Sequence, residues 1–146
     1  MDNEPYRDLT HTQAIVFLAA SYHERGFRVT MELTLPNKRR ADLFLVNPFG
    51  FYEIIEVKTE FSSTVIGEAL NKYGPWCNSL HLAVPGLLER AIRQATAIPR
   101  WRHHFDRVGL IGVYPCSYVQ HRPAAKQNLH PKICDIIAEL LDRHPG

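Results

Sequence analysis

Three charged residues stand where aliphatic ones would be expected. In RRADLFLVNPFGFYEIIEVKTE, residues 39–60, Asp42 opens one apolar run, and Glu56 and Lys58 close the next. Charged side chains are rarely buried unless paired or bound to metal, because desolvation is costly. The turn-like NPFG between the runs predicts an antiparallel hairpin closed by residues 47–51. Such a hairpin lays the start of the first strand beside the end of the second, so Asp42 falls near Glu56 and Lys58. Glu56 and Lys58 are two apart and share one face of the sheet. Carboxylates gathered at such a point suit a hard divalent cation such as Mg²⁺. A neighbouring lysine suits a nucleophilic water, or the charge developing on a phosphate. The chemistry expected of this set is phosphodiester hydrolysis. The plainer alternative is a solvated strand end carrying three ordinary surface charges.

The elements that must position these residues follow from periodicity. Residues 11–25, HTQAIVFLAASYHER, crowd apolar residues at helical spacing, with Thr10 or Thr12 as N-cap and Gly26 as the stop. Phe27, Val29, Met31, Leu33 and Leu35 alternate with polar residues, which predicts a strand with one wet face. Strands follow at 41–46 and 52–59, and a helix at 63–76 that Gly74-Pro75 terminates. Next come a strand at 79–85, a helix at 86–98, a buried strand at 108–114 and an amphipathic helix at 131–143 with proline at its start. Residues 115–130 read as a long, basic loop. The order α-β-β-β-α-β-α-β-α, hairpins first and crossover helices later, predicts a mixed β-sheet flanked by helices.

Composition narrows the class. With 146 residues, 45% hydrophobic and 22% charged, the chain reads as one globular domain, residues 1–146. A net charge of +2 permits a polyanionic partner without demanding one. Three scattered cysteines and no zinc-ligand spacing argue against a disulfide framework or a zinc site. The acidic start MDNEPYRDLT is unlike a signal peptide, and the longest apolar run, AIVFLAA, is too short for a membrane span. A cytoplasmic protein without membrane association is the expectation.

The combination of an Asp on one hairpin strand, E-x-K on the next, and flanking helices resembles the PD-(D/E)xK nuclease superfamily. The motif stands as Ala41-Asp42 and, fourteen residues after Asp42, Glu56-Val57-Lys58. Ala41 replaces the superfamily's usual proline. Within it, ELTLPNKRRADLFLV, EIIEVKTE and NKYGPWCNSLHLAVP are similar to MmcB-like DNA repair proteins, closely only between Glu32 and Pro85. Holliday junction resolvases share the framework. The resemblance implies a restriction-endonuclease-like fold with an αβββαβ core and a metal-dependent endonuclease or exonuclease acting on DNA in repair or recombination. It implies Asp42 and Glu56 as ligands of Mg²⁺ or Mn²⁺, the Val57 carbonyl as a further ligand, and Lys58 as the catalytic lysine. A homodimer is implied by the resolvases. Many members carry a glutamate on the first helix as an additional ligand. Here that helix offers Gln13, with Glu24 near its end, while Glu32 on the next strand is another candidate. This departure leaves room for a non-catalytic nucleic-acid-binding module of the same fold.

Basic residues supply the expected DNA contacts. Arg39 and Arg40 immediately precede the site and suit a phosphate. Arg100 and Arg102 flank Trp101 ahead of His103-His104, an arrangement suited to stacking and charge, or to a solvated helix end. By the resemblance, Lys72 contacts phosphate and Tyr73 packs or stacks. The alternative is a solvated lysine and a core tyrosine.

Overall fold

A computed structural model of the chain describes residues 9–59, 63–96 and 106–144. Six strands form one mixed sheet whose spatial order repeats the chain order: β1 (Arg28–Thr34), β2 (Arg40–Val46), β3 (Tyr52–Val57), β4 (Ser79–Pro85), β5 (Val108–Tyr114) and β6 (Ser117–Arg122). The pairings β1–β2, β2–β3 and β5–β6 are antiparallel, whereas β3–β4 and β4–β5 are parallel. The parallel steps need crossovers, supplied by α2 (Ser63–Tyr73) and α3 (Gly86–Thr96). Both crossovers step the sheet in the same direction. With a common handedness, their helices must therefore lie on the same face.

Core membership agrees with that rule. Ile66 and Ala69 of α2, Ile92 of α3, and Ile137 and Leu141 of α4 (Pro131–Asp142) pack with Ile54, Leu80 and Leu82 of the sheet. The opposite face belongs to α1 (His11–Glu24), whose Ala14, Ile15, Leu18 and Tyr22 cover Leu43, Leu45, Ile55 and Ile111. On each strand alternate residues serve alternate layers, so Ile54 and Ile55 of β3, both fully buried, end in different cores.

The first helix begins with a reciprocal cap. The Thr10 hydroxyl accepts from the Gln13 N–H, and the Gln13 side chain accepts from the Thr10 N–H. It stops where Gly26 adopts φ +86°, a left-handed conformation that glycine reaches without a Cβ penalty. Proline opens α4 as expected.

Two expectations need revision. The 115–130 segment is not all loop, because β6 forms a hairpin with β5. Nor is the alternation of β1 unbroken. Val29 packs in the α1 layer, Met31 is 52% exposed, and Leu33 and Leu35 are buried in the other layer. The change falls at Glu32, whose φ of +54° turns the strand over. Strand β2 switches layers at the same level, between Ala41 and Leu43. Among the described residues no helix is long and apolar enough to cross a membrane.

Candidate active site

The β2–β3 register pairs Leu43 with Ile55, and one step further lies Asp42 opposite Glu56. The two carboxylates are tied together through the backbone. The Asp42 N–H donates to Glu56 Oε1 at 2.9 Å, and the Val57 N–H donates to Asp42 Oδ2 at 2.8 Å. Each side chain is thus oriented by the strand that carries the other. Glu56 is 2% exposed, whereas the Asp42 side chain retains 16% of its surface.

That burial has an electrostatic consequence. Removal from water, and then the neighbouring Asp42 charge, push the Glu56 carboxyl up to about 8. Without a cation, Glu56 therefore holds a proton at neutral pH. A divalent ion would reverse the balance by favouring the ionised form, so the donor set suits such an ion: two hard carboxylates already oriented by peptide donors. Among the described residues no three His, Cys, Asp or Glu side chains already converge on one point.

Lys58 lies one residue past β3, its N–H donating to the Ala83 carbonyl at 2.9 Å. Its ammonium partly offsets the upward pressure on Glu56, which places its charge in the same neighbourhood. Tyr73, at the end of α2, is buried, and its hydroxyl donates to the Arg40 carbonyl at 3.2 Å. Burial, Glu56 and Asp42 together push this phenol up to about 12, so it stays a hydrogen-bond donor. Asn37 makes a second tie, donating to the Lys72 carbonyl at 2.8 Å, while its own side-chain oxygen accepts from the Arg39 N–H. The side chains of Arg39 and Arg40 are exposed, just ahead of Asp42 in the chain. Lys72 faces Glu68 at 3.6 Å.

The remaining expected residues fall elsewhere. Arg100 and Arg102, with Trp101 and His103-His104, lie outside the described residues. Gln13 is occupied in the helix cap. Glu24 is at the far end of the 14-residue α1, roughly 20 Å from its start at 1.5 Å per residue. Glu32 is exposed, and stands opposite Asp42 in the β1–β2 register.

One residue escaped the sequence reading. His11, the first residue of α1, brings Nε2 to 3.3 Å from Asp42 Oδ2. The signal that could have found it is Thr10-x-x-Gln13. A capping box fixes where the helix begins, and hence which side chain stands at its tip.

No family model matches the chain, and no curated protein matches it. A solved structure does: the SPO1766 protein of unknown function from Silicibacter pomeroyi. It superposes with a TM-score of 0.69 at 20% identity, over 95% of this chain and 88% of the other. At that identity the likeness is one of fold, an α/β architecture built on a mixed sheet flanked by helices.

Proposed function

We propose that the protein is a metal-dependent DNA nuclease of restriction-endonuclease-like fold, hydrolysing phosphodiester bonds in repair or recombination. The observation that carries the reading is the Asp42–Glu56 pair: two carboxylates cross-tied by peptide N–H groups, one of them buried. An ionised carboxylate buried beside a second one adds nothing to stability, so a carboxyl kept in that place favours an external cation as the reason for it.

In this reading Asp42 and Glu56 hold Mg²⁺ or Mn²⁺, with the Val57 carbonyl as a further oxygen. When bound, such an ion polarises a phosphoryl oxygen and lowers the pKa of water. Lys58 contributes a positive charge to the phosphate as negative charge accumulates there. Arg39 and Arg40 bind the neighbouring phosphates, and Tyr73 and Asn37 keep their backbone at a fixed distance from α2.

The test is cleavage of labelled single-stranded, duplex, flap and four-way-junction DNA with Mg²⁺, Mn²⁺ or EDTA. Wild type is compared with Asp42→Ala and Lys58→Ala. Metal-dependent cutting that falls at least ~100-fold in both variants is expected, in the range of losing one electrostatic contributor. If no substrate is cut and all three proteins bind DNA alike, the nuclease reading fails. A non-catalytic DNA-binding module then remains, a second reading favoured by Gln13, which stands on the first helix in place of a glutamate ligand and is engaged in the helix cap.

A further inference from the structure

The end of the sheet opposite the carboxylates carries features that neither the fold nor the proposed cleavage uses. The β2–β3 turn, residues 47–51, presents Phe49 at 86% exposure and Phe51 at 47%. The turn fixes the backbone behind both rings. The Asn47 side-chain oxygen accepts from the Phe49 and Phe51 N–H groups, and the Asn47 N–H donates to the Phe51 carbonyl. Lys126 sets its ammonium 6.0 Å from the centre of the Phe51 ring. The same lysine, with Arg107, Asn78, Gln127 and the aliphatic Leu70 and Leu80, lines a cavity of about 130 Å³. The amide wall of that cavity is pinned. The Asn78 side chain accepts from the Tyr52 N–H at 2.8 Å and donates to the Gln127 carbonyl at 3.0 Å. The Gln127 side chain donates to the Gly74 and Cys77 carbonyls. The two cations are not so engaged: among the described residues, neither Arg107 nor Lys126 forms an ion pair. Glu53, within reach of the Lys126 charge, is held by His81 and Asn47. Asp106, beside Arg107 in the chain, faces Arg122 at 3.4 Å. A cavity edged by two unneutralised cations suits an anion the size of a phosphate group.

We propose that this end of the sheet binds single-stranded nucleic acid, seating a phosphate between Arg107 and Lys126 and stacking bases on Phe51 and Phe49. Cations interleaved with aromatic rings match a strand whose phosphates alternate with unstacked bases. A duplex answers the charges alone, since its bases are stacked on one another. An apolar protein partner would cover the rings and leave the two charges without a counterpart. Phe51 precedes Glu56 by five residues on the same strand, about 17 Å at the rise of a β-strand. The contact is therefore separate from the carboxylate pair and does not rest on cleavage there.

The experiment follows labelled oligothymidylate and oligouridylate, each of about 12 nucleotides, by fluorescence anisotropy in EDTA at several salt concentrations. A blunt DNA duplex of equal length is the comparison. Wild type is set beside Phe49→Ala, Phe49→Trp, the double variant Arg107→Gln/Lys126→Gln, and Asp42→Asn. Phe49, Arg107 and Lys126 are all exposed, so these variants should melt with wild type. We expect the single strand to bind more tightly than the duplex and to lose at least ~10-fold in Phe49→Ala, the range of one lost stacking contact. Phe49→Trp should restore the affinity, with indole fluorescence quenched as the strand binds. The double variant should weaken binding and lower the salt dependence by about one unit of slope. Asp42→Asn should bind as wild type does. The ribose or deoxyribose strand that binds more tightly names the nucleic acid. Single-strand binding that is absent in wild type, unchanged in Phe49→Ala or in the double variant, or matched by the duplex would overturn the proposal. Binding lost in Asp42→Asn would place the strand at the carboxylates and overturn it equally. With metal withheld, none of these outcomes decides whether the carboxylate pair cleaves DNA.

Discussion

Strand β3 carries two glutamates three residues apart, and the sheet sends them to opposite layers with opposite fates. Glu53, on the α1 face, meets His81 Nε2 at 2.7 Å and accepts from the Asn47 side chain at 3.1 Å. The second nitrogen of His81 lies 3.4 Å from Gln120. Burial presses Glu53 upward, but the His81 hydrogen bond and charge outweigh it, and its pKa lies below the ordinary value. Glu56, on the other face, is buried beside a second carboxylate and is pushed up to about 8. The first cluster compensates its charge from within the chain. The second leaves compensation to a proton or to a cation from outside. A closed network of this kind specifies packing; the open pair is the one the proposed function draws on.

The comparison breaks most visibly at His81. Replacing it with alanine takes the main partner from a half-buried glutamate, and His81→Ala should lower the unfolding free energy by about 3 kcal/mol in urea titrations. On the proposed nuclease reading, cleavage per folded molecule should be little changed. A loss of less than ~1 kcal/mol would mean that Glu53 is compensated by other groups. Gly109 probes the same network by volume. A Cβ there would meet His81 Nδ1 at 2.5 Å and the Ala124 backbone nitrogen at 2.9 Å, so something must shift. Gly109→Ala should cost about 1–3 kcal/mol, read as a lower melting temperature.

Glu56 gives an effect of opposite sign, spread over pH. Its folded pKa stands above its ordinary 4.5, so the folded protein holds the proton more tightly than the unfolded chain. The stability this confers is complete below about pH 4.5 and is lost as pH rises through about 8. Urea titrations of the metal-free protein at pH 5 and pH 8.5 should show the decline, and Glu56→Gln should flatten it. The variant should be the more stable of the two at the higher pH, and on the proposed nuclease reading it loses cleavage, the usual trade between stability and a charged site. A wild type with no decline would place Glu56 in a wetter environment than its 2% exposure indicates.

Much of this was legible in the sequence where a period repeats. The α1 helix, the β2–β3 hairpin and the two crossover helices follow from apolar spacing and turn residues, and the hairpin alone brings Asp42 to Glu56. Strand β6, SYVQHR, lacks that signal, because it is polar and half-exposed and owes its form to the neighbouring β5. The turnover of β1 at Glu32 was hidden for another reason: a non-glycine residue in the left-handed region has no marker in composition. Gln13 stood at the right place for a ligand and is instead part of a cap. His11 was hidden because its proximity to Asp42, 31 residues away, depends on how α1 lies against the sheet.

The spatial order of the strands, identical to their order in the chain, bears on how the site comes into being. Asp42 and Glu56 meet within one hairpin, across a turn that Asn47 closes by accepting from the Phe49 and Phe51 N–H groups. Pairing β3 with β4 must wait for the longer crossover through α2, and distant contacts form later than near ones. The two carboxylates are therefore brought together before the domain is complete, and their repulsion burdens the folding barrier as well as the finished state. Stopped-flow refolding should accelerate on lowering the pH from 8.5 to 6, with Glu56→Gln insensitive to the change. An effect confined to the unfolding rate would instead place the meeting of the two carboxylates after the barrier.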